Sequence, residues 1–212
     1  MNAERLRDDV QGLDAESVIR RAWEVYGEGL VFATSLAAED QVITEMIARN
    51  RWPIPLVTLE TGRRFPETYA LLAETEARYG LRIRVFFPEA AAVEAMVADK
   101  GIDLFRDSVE NRKRCCRVRK LEPLKRALAP YRAWICGLRR EQSVTRAAVR
   151  AVEDDAANGL VKINPLAEWT EQQVWGVIAA RGIPYNPLHD RGYPSIGCAC
   201  CTRAVKRTEE VR

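Results

Sequence analysis

Apolar and polar positions alternate between two periods along this chain. Residues 14–26 (DAESVIRRAWEVY) place apolar side chains at helical spacing, with Asp14 as the N-cap and Gly27 and Gly29 as the stop. Leu30 to Thr34 is a short apolar run of strand formers, and Ser35 to Ala38 leads into a helix that begins near Glu39. Residues 54–59 predict a second strand, Pro66 opens a helix that Gly80 ends, and residues 82–86 predict a third strand. Residues 89–100 and 109–128 read as helices, 132–136 as a strand, and 147–163 as a hairpin turning at Ala157-Asn158-Gly159. Residues 170–181 form a helix with Thr170 and Gln173 in capping-box spacing. Beyond Gly182 the chain is rich in Pro and Gly and reads as loop. Strand, loop and helix in repeated order predict a parallel, or mostly parallel, α/β sheet flanked by helices.

Composition narrows this further. With 212 residues, 47% hydrophobic and 30% charged, the chain suits one α/β domain whose core needs no disulfides. No apolar run reaches the roughly 18 residues of a membrane span, and Met1 to Asp9 lacks the apolar stretch of a signal peptide, so a cytoplasmic protein with no membrane partner is expected. Net charge is only +3. Arginines crowd residues 112–119 and 139–140 without interleaved aromatics. That argues against nucleic acid and leaves solvated helix faces or a pocket for a small polyanion.

Five segments carry candidate chemistry. Ser35-Leu36-Ala37-Ala38-Glu39-Asp40 sits where a strand meets a helix N-terminus, a geometry that offers backbone N–H groups to an anion. Leu59-Glu60-Thr61-Gly62-Arg63 follows the second strand, at the edge where open α/β sheets bind ligands. Here Thr61 and Gly62 let backbone approach a planar base, and Arg63 offers a fork for an anion. Cys115-Cys116, with Arg119 and Lys120 close behind, pairs with the distant Cys198-Ala199-Cys200-Cys201. Together they predict a four-thiolate site, and the count alone does not choose between zinc and an iron–sulfur cluster. Cys136-Gly137-Leu138-Arg139 ends a strand and begins an arginine-rich loop reaching Arg146. The fifth segment, Asn186 to Gly197, contains His189, the only histidine.

In this order the segments resemble the APS/PAPS reductase family, over roughly residues 30 to 205. That family shows S-x-G-A-E-D, then L-D-T-G-R-x-x-P-E-T-Y, then C-C with R-K behind it. W-x-T-G-x-R-R-x-Q-S…T-R and N-P-L-H-x-x-G-Y-x-S-I-G-C-x-x-C-T-R follow. The resemblance implies an adenine nucleotide α-hydrolase-like (Rossmann-like) fold. Members with both cysteine pairs reduce adenosine 5′-phosphosulfate (APS) and hold a [4Fe–4S] cluster, which assigns Cys115, Cys116, Cys198 and Cys201 as ligands. It further implies a thioredoxin-dependent reduction of APS to sulfite and AMP through an enzyme S-sulfocysteine, within assimilatory sulfate reduction.

On that resemblance, Leu59, Thr61, Gly62 and Gly137 frame the adenine and Ser35 lies near the phosphosulfate. His189 is a further substrate contact. Lys120 and Arg146 act at the reacting centre, and Arg63, Arg139 and Arg212 supply further positive charge. The alternatives are reduction of the 3′-phosphorylated nucleotide (PAPS), adenylyl transfer, whose S-G-G-K-D-S-type loop lysine is missing here, and a zinc-stabilised nucleotide-binding module without catalysis. A homo-oligomer is compatible with the sequence.

Four departures stand out: Ala37 for the loop glycine, Glu60 for Asp, Cys200 where proline is common, and Cys136 for Thr. Ala37 is tolerated if its φ stays negative, and Cys136 is expected to act as a small buried hydrophobe. The family's nucleophile is a cysteine in a tail ending E-C-G-L/I-H. This sequence ends at Arg212, about where that tail begins, and the expectation is that the tail is missing from it.

Overall fold

Leu30 and Phe32 point to one side of the first strand and Val31 to the other, and all three are fully buried. Burial on both faces is the mark of a central parallel strand covered by helices on each side. The computed structural model describes residues 3–205. In chain order its elements are α1 (Ala3–Asp9), α2 (Ala15–Tyr26), β1 (Leu30–Ala33), α3 (Ala38–Arg49), β2 (Leu56–Leu59), α4 (Pro66–Tyr79) and β3 (Ile83–Phe86). Then follow α5 (Ala90–Lys100), α6 (Val109–Cys116), a π turn (Arg117–Leu121), α7 (Glu122–Leu128), β4 (Ala133–Ile135), β5 (Val152–Asp155), β6 (Leu160–Ile163) and α8 (Glu171–Arg181).

The six strands form one sheet in the order β3-β2-β1-β4-β6-β5. All neighbours are parallel except the β5–β6 hairpin. This is the mostly parallel, helix-flanked α/β fold that the alternation of periods predicts. The chain builds outward from β1 through β2 to β3, then returns to lay β4 on the opposite side of β1. The topological switch point therefore falls between the C-terminal ends of β1 and β4, where such sheets open a ligand crevice.

Three apolar clusters hold the layers together. The largest joins α2, α3 and α8 to one sheet face through Ile19, Ile43, Phe32, Ile135 and Ile178. A second packs Ala127 and Leu128 of α7 on Val31 and Val57. A satellite cluster joins Met96, Leu104, Phe105, Cys115 and Val118, away from the sheet.

Several local expectations hold. Asp14 accepts the Ser17 N–H at 2.7 Å as the N-cap of α2. Gly80 ends α4 with φ 61, and Thr170 with Gln173 closes a capping box on α8. Two differences have physical causes. The amphipathic α1 was not read from its short polar sequence, yet it buries Leu6 completely against the main core. The expected single helix over 109–128 is interrupted by the π turn at 117–121. Pro123 has no N–H to return to the carbonyl of Arg119, so the ladder slips by one residue there.

Candidate functional site

At the switch point one carboxylate links the loops that follow β1 and β4. Asp40, in the first turn of α3, accepts both the backbone N–H and the hydroxyl of Ser35, each at 2.6 Å. The Gly137 N–H, from the loop after β4, donates to the same side chain. A Cβ placed on Gly137 would lie 2.3 Å from Asp40 Oδ1, so only glycine lets the two loops meet. Ser35 and Gly137, both expected to bind substrate, are thus joined through a residue that sequence reasoning did not single out. Its signal was its place in the loop motif, two residues beyond the start of α3. Leu36 takes the left-handed turn, φ 66, while Ala37 sits at φ −70 as the helix N-cap, so the missing glycine costs nothing.

Burial pushes the Asp40 carboxyl up from 3.8 to about 6, although the Ser35 and Gly137 donors pull it down. The folded value lies above the unfolded one, so ionising Asp40 in the folded state opposes folding. That penalty is absent below 3.8 and complete above about 6. Relative to Asp40→Asn, the protein is therefore expected to lose about 3 kcal/mol of stability as pH rises across that window. Urea unfolding of both proteins at several pH values checks this. A stability difference that does not change with pH would refute it.

Arg139 turns away from solvent. It is 5% exposed, and its Nε donates to Glu39 Oε1 at 2.9 Å, while its Nη1 donates to the Trp169 carbonyl at 3.3 Å. Its charge is already committed to Glu39, in the first turn of α3. Gln142 holds the rest of this loop. Its Oε1 accepts the Arg139 N–H at 3.1 Å and an Arg146 guanidinium N–H, and its Nε2 donates to the Gly137 carbonyl.

The segment after β2 faces two ways. Leu59 is half-buried at the strand end, and Glu60 folds back to accept the Gly62 N–H, a use for its extra methylene. Gly62 has φ 70, and a Cβ on it would lie 3.1 Å from Arg119 Nη1. Thr61 is buried, and its carbonyl accepts from Arg119 at 2.8 Å. Its hydroxyl receives the Cys198 thiol at 3.4 Å. Thr61 thus ties the β2 edge to the cysteines. Arg63 also turns to that side, donating to the Ile102 carbonyl and lying 4.8 Å from the Phe105 ring.

The cysteines gather beside these arginines. Cys115 and Cys116 end α6, and Cys198, Cys200 and Cys201 lie around a 3-10 turn at Ala199–Cys201. All are free thiols. Burial pushes the Cys115 thiol up, while Arg119 and Arg63 beside it pull it down. Among the described residues no three Cys, His, Asp or Glu side chains already converge as ligands of a single metal ion must. The Nε donors of Arg63 and Arg119 are buried without a protein partner. Lys120, on the π turn, is half-buried and has no polar partner among the described residues.

His189 Nδ1 lies 2.8 Å from the Tyr193 carbonyl, which only accepts, so Nδ1 carries the proton and Nε2 presents a lone pair. That Nε2 is buried and unpartnered, and burial holds the ring below its ordinary pKa. Cys136 is buried, donates to Asn164 Oδ1 at 3.1 Å, and is pushed up to about 12 by burial, so it stays a thiol. Arg212 lies outside the described residues. No helix among those residues is long and apolar enough to cross a membrane.

A parallel sheet with small-residue loops and a helix N-terminus at its switch point is an arrangement on which many α/β proteins bind nucleotides. The family is equally plain: the chain belongs to the phosphoadenosine phosphosulfate reductase domain family, whose pattern matches residues 29–204. It is 58% identical to an adenosine 5′-phosphosulfate reductase of Allochromatium vinosum, over 87% of this chain and 72% of that protein. A phosphate complex of phosphoadenylyl-sulfate reductase from Candida auris superposes with a TM-score of 0.82 at 28% identity, covering 95% of this chain and 96% of that one. An FMN adenylyltransferase of Candida glabrata shares the fold alone, with a TM-score of 0.63 at 16% identity over 93% of this chain and 62% of that one.

Proposed function

We propose that this chain reduces APS to sulfite and AMP, and that Cys115, Cys116, Cys198 and Cys201 hold a [4Fe–4S] cluster. The observation that carries the reading is the shared wall of two sites. Thr61 contributes to the β2 edge of the nucleotide crevice, and its hydroxyl receives the thiol of Cys198. The donor set fits the cluster. The thiols are unpaired, come from two segments, and adjoin two buried guanidinium donors that lack partners. Cys115, Cys116, Cys198 and Cys201 would be its four thiolate ligands. When bound, the cluster supplies negative charge close to the sulfonucleotide.

The residues then take these roles. Leu59, Thr61, Gly62 and Gly137 receive the adenine along the sheet edge. The Ser35 loop and the N-terminus of α3 face the phosphosulfate, with the Asp40 carboxylate holding that loop in place. His189 Nε2 accepts a hydrogen bond from a ligand hydroxyl, because its other nitrogen is already donating. Lys120 and Arg146 offset the charge that builds up when a thiolate attacks the anionic sulfur. Arg63, through its unpartnered Nε, acts on the thiolate side. The attacking thiolate belongs to a C-terminal tail cysteine outside these residues. AMP departs with the electron pair of the broken S–O bond, leaving an S-sulfocysteine. The two thiols of reduced thioredoxin then become a disulfide as sulfite is released.

The test joins this chain to a tail ending E-C-G-L/I-H and follows sulfite release from APS with reduced thioredoxin, beside iron and sulfide analysis. Turnover by an iron-loaded protein is expected. Failure of the chain to bind either APS or AMP would defeat the reading. PAPS reduction is the competing activity, in keeping with the Candida auris neighbour. A stronger inhibition by adenosine 3′,5′-bisphosphate than by AMP would favour it. Lys120→Ala is expected to slow sulfur transfer about 100-fold while changing AMP affinity far less. Equal losses in both would remove Lys120 from the reacting centre.

A further inference from the structure

Five thiols, not four, gather at the proposed cluster site, and two of them compete for one place. Cys115 is fixed by α6 and by the satellite core of Met96, Leu104, Phe105 and Val118. Cys198 is fixed by its bond to Thr61 Oγ1 and by the next peptide, whose Ala199 N–H donates to the Arg63 carbonyl at 2.8 Å. The last two cysteines share the 3-10 turn, and their Sγ atoms lie 3.7 Å apart. That is contact without a bond, since a disulfide holds its sulfurs at about 2.05 Å. Cys200 is half-buried and packs against the satellite core that contains Cys115. Cys201 is exposed. Of the two, the one that packs on the side-chain cluster containing Cys115 is the one the family pattern leaves out.

We propose that Cys200 can serve as the fourth thiolate ligand in place of Cys201, so that the cluster keeps four protein ligands when either thiol is lost. This rests on the iron–sulfur reading above. In the exchange, the Cys200 thiol gives up its proton as its sulfur bonds to iron, and the departing Cys201 thiolate takes one up. The site keeps its charge and no electron moves. The spare ligand guards the centre against oxidation or alkylation of its exposed cysteine. The turn needs little rearrangement, because the two sulfurs already lie side by side.

Reconstitution with ferrous iron and sulfide under reductant tests this in the parent, Cys200→Ser, Cys201→Ser and the double variant, with far-UV circular dichroism to confirm folding. The readouts are iron and sulfide per chain and the cysteines shielded from alkylation. Both single variants are expected to retain most of the parent's iron, and the double variant to lose about tenfold. Cys200 is expected to be alkylated in the loaded parent and shielded in loaded Cys201→Ser. A folded Cys201→Ser as empty as the double variant, beside a loaded parent, would overturn the proposal and leave the cluster reading intact. A parent that takes up no iron would end both.

Discussion

Glu39→Ala is expected to destabilise the protein by about 3–5 kcal/mol, far more than an ordinary charge deletion. Glu39 and Arg139 are 9% and 5% exposed, and the pair spans α3 and the loop after β4. Removing the carboxylate strands a guanidinium that keeps only the Trp169 carbonyl and a longer contact to the exposed Glu141, at 3.4 Å. Arg139→Met should cost less, since the surviving carboxylate sits in the first turn of α3, where the helix dipole favours it. The double replacement Glu39→Met with Arg139→Met should recover much of the loss, because neither buried charge is then unpaired. Urea midpoints of the four proteins check the order. If Glu39→Ala costs only about 1 kcal/mol or less, the pair behaves as a surface ion pair and its structural role is refuted.

The same pair shows how far sequence reasoning reaches. The period of apolar residues exposes every strand and all helices but α1, because a buried face must repeat with its element's geometry. It does not expose strand order, which depends on where β4 inserts once β3 is placed. Nor does it expose α3 as a helix buried along most of its length, Glu39, Asp40, Gln41, Thr44 and Glu45 included. A run of polar residues reads as a solvated face until its partners are known. Here those partners lie far along the chain: Arg139 for Glu39, Gly137 for Asp40, and Thr75 with the Pro184 carbonyl for Gln41. Ser35, Thr61 and Gly137 stand out in the sequence through their motifs. Their bonds to Asp40 and Cys198 do not, since side-chain partners carry no periodicity. Arg63 and Arg139 read as free anion forks, and both are drawn inward, toward the cysteines and toward Glu39.

Gly137→Ala is expected to weaken AMP binding roughly 5–150-fold, the equivalent of about 1–3 kcal/mol of overpacking strain. The added methyl has no backbone objection to meet, since Gly137 is not among the glycines at positive φ. Its obstacle is space. Beyond Asp40 Oδ1, it would lie 3.0 Å from Glu39 Cβ and 3.2 Å from the Asp40 backbone nitrogen. Two of those three atoms cannot swing aside without moving α3, so the loop after β4 must retreat and the crevice at the switch point must widen. Nucleotide affinity should therefore fall even where the fold survives. Gly176→Ala supplies the contrast. Its added methyl meets nothing within 4 Å in the middle of α8, so it is expected to stabilise the helix by about 0.5–1 kcal/mol and leave binding alone. Calorimetric titration with AMP, beside urea unfolding, separates the two effects. A Gly137→Ala protein that binds AMP as tightly as the parent would show that the contact between α3 and the β4 loop does not shape the nucleotide crevice.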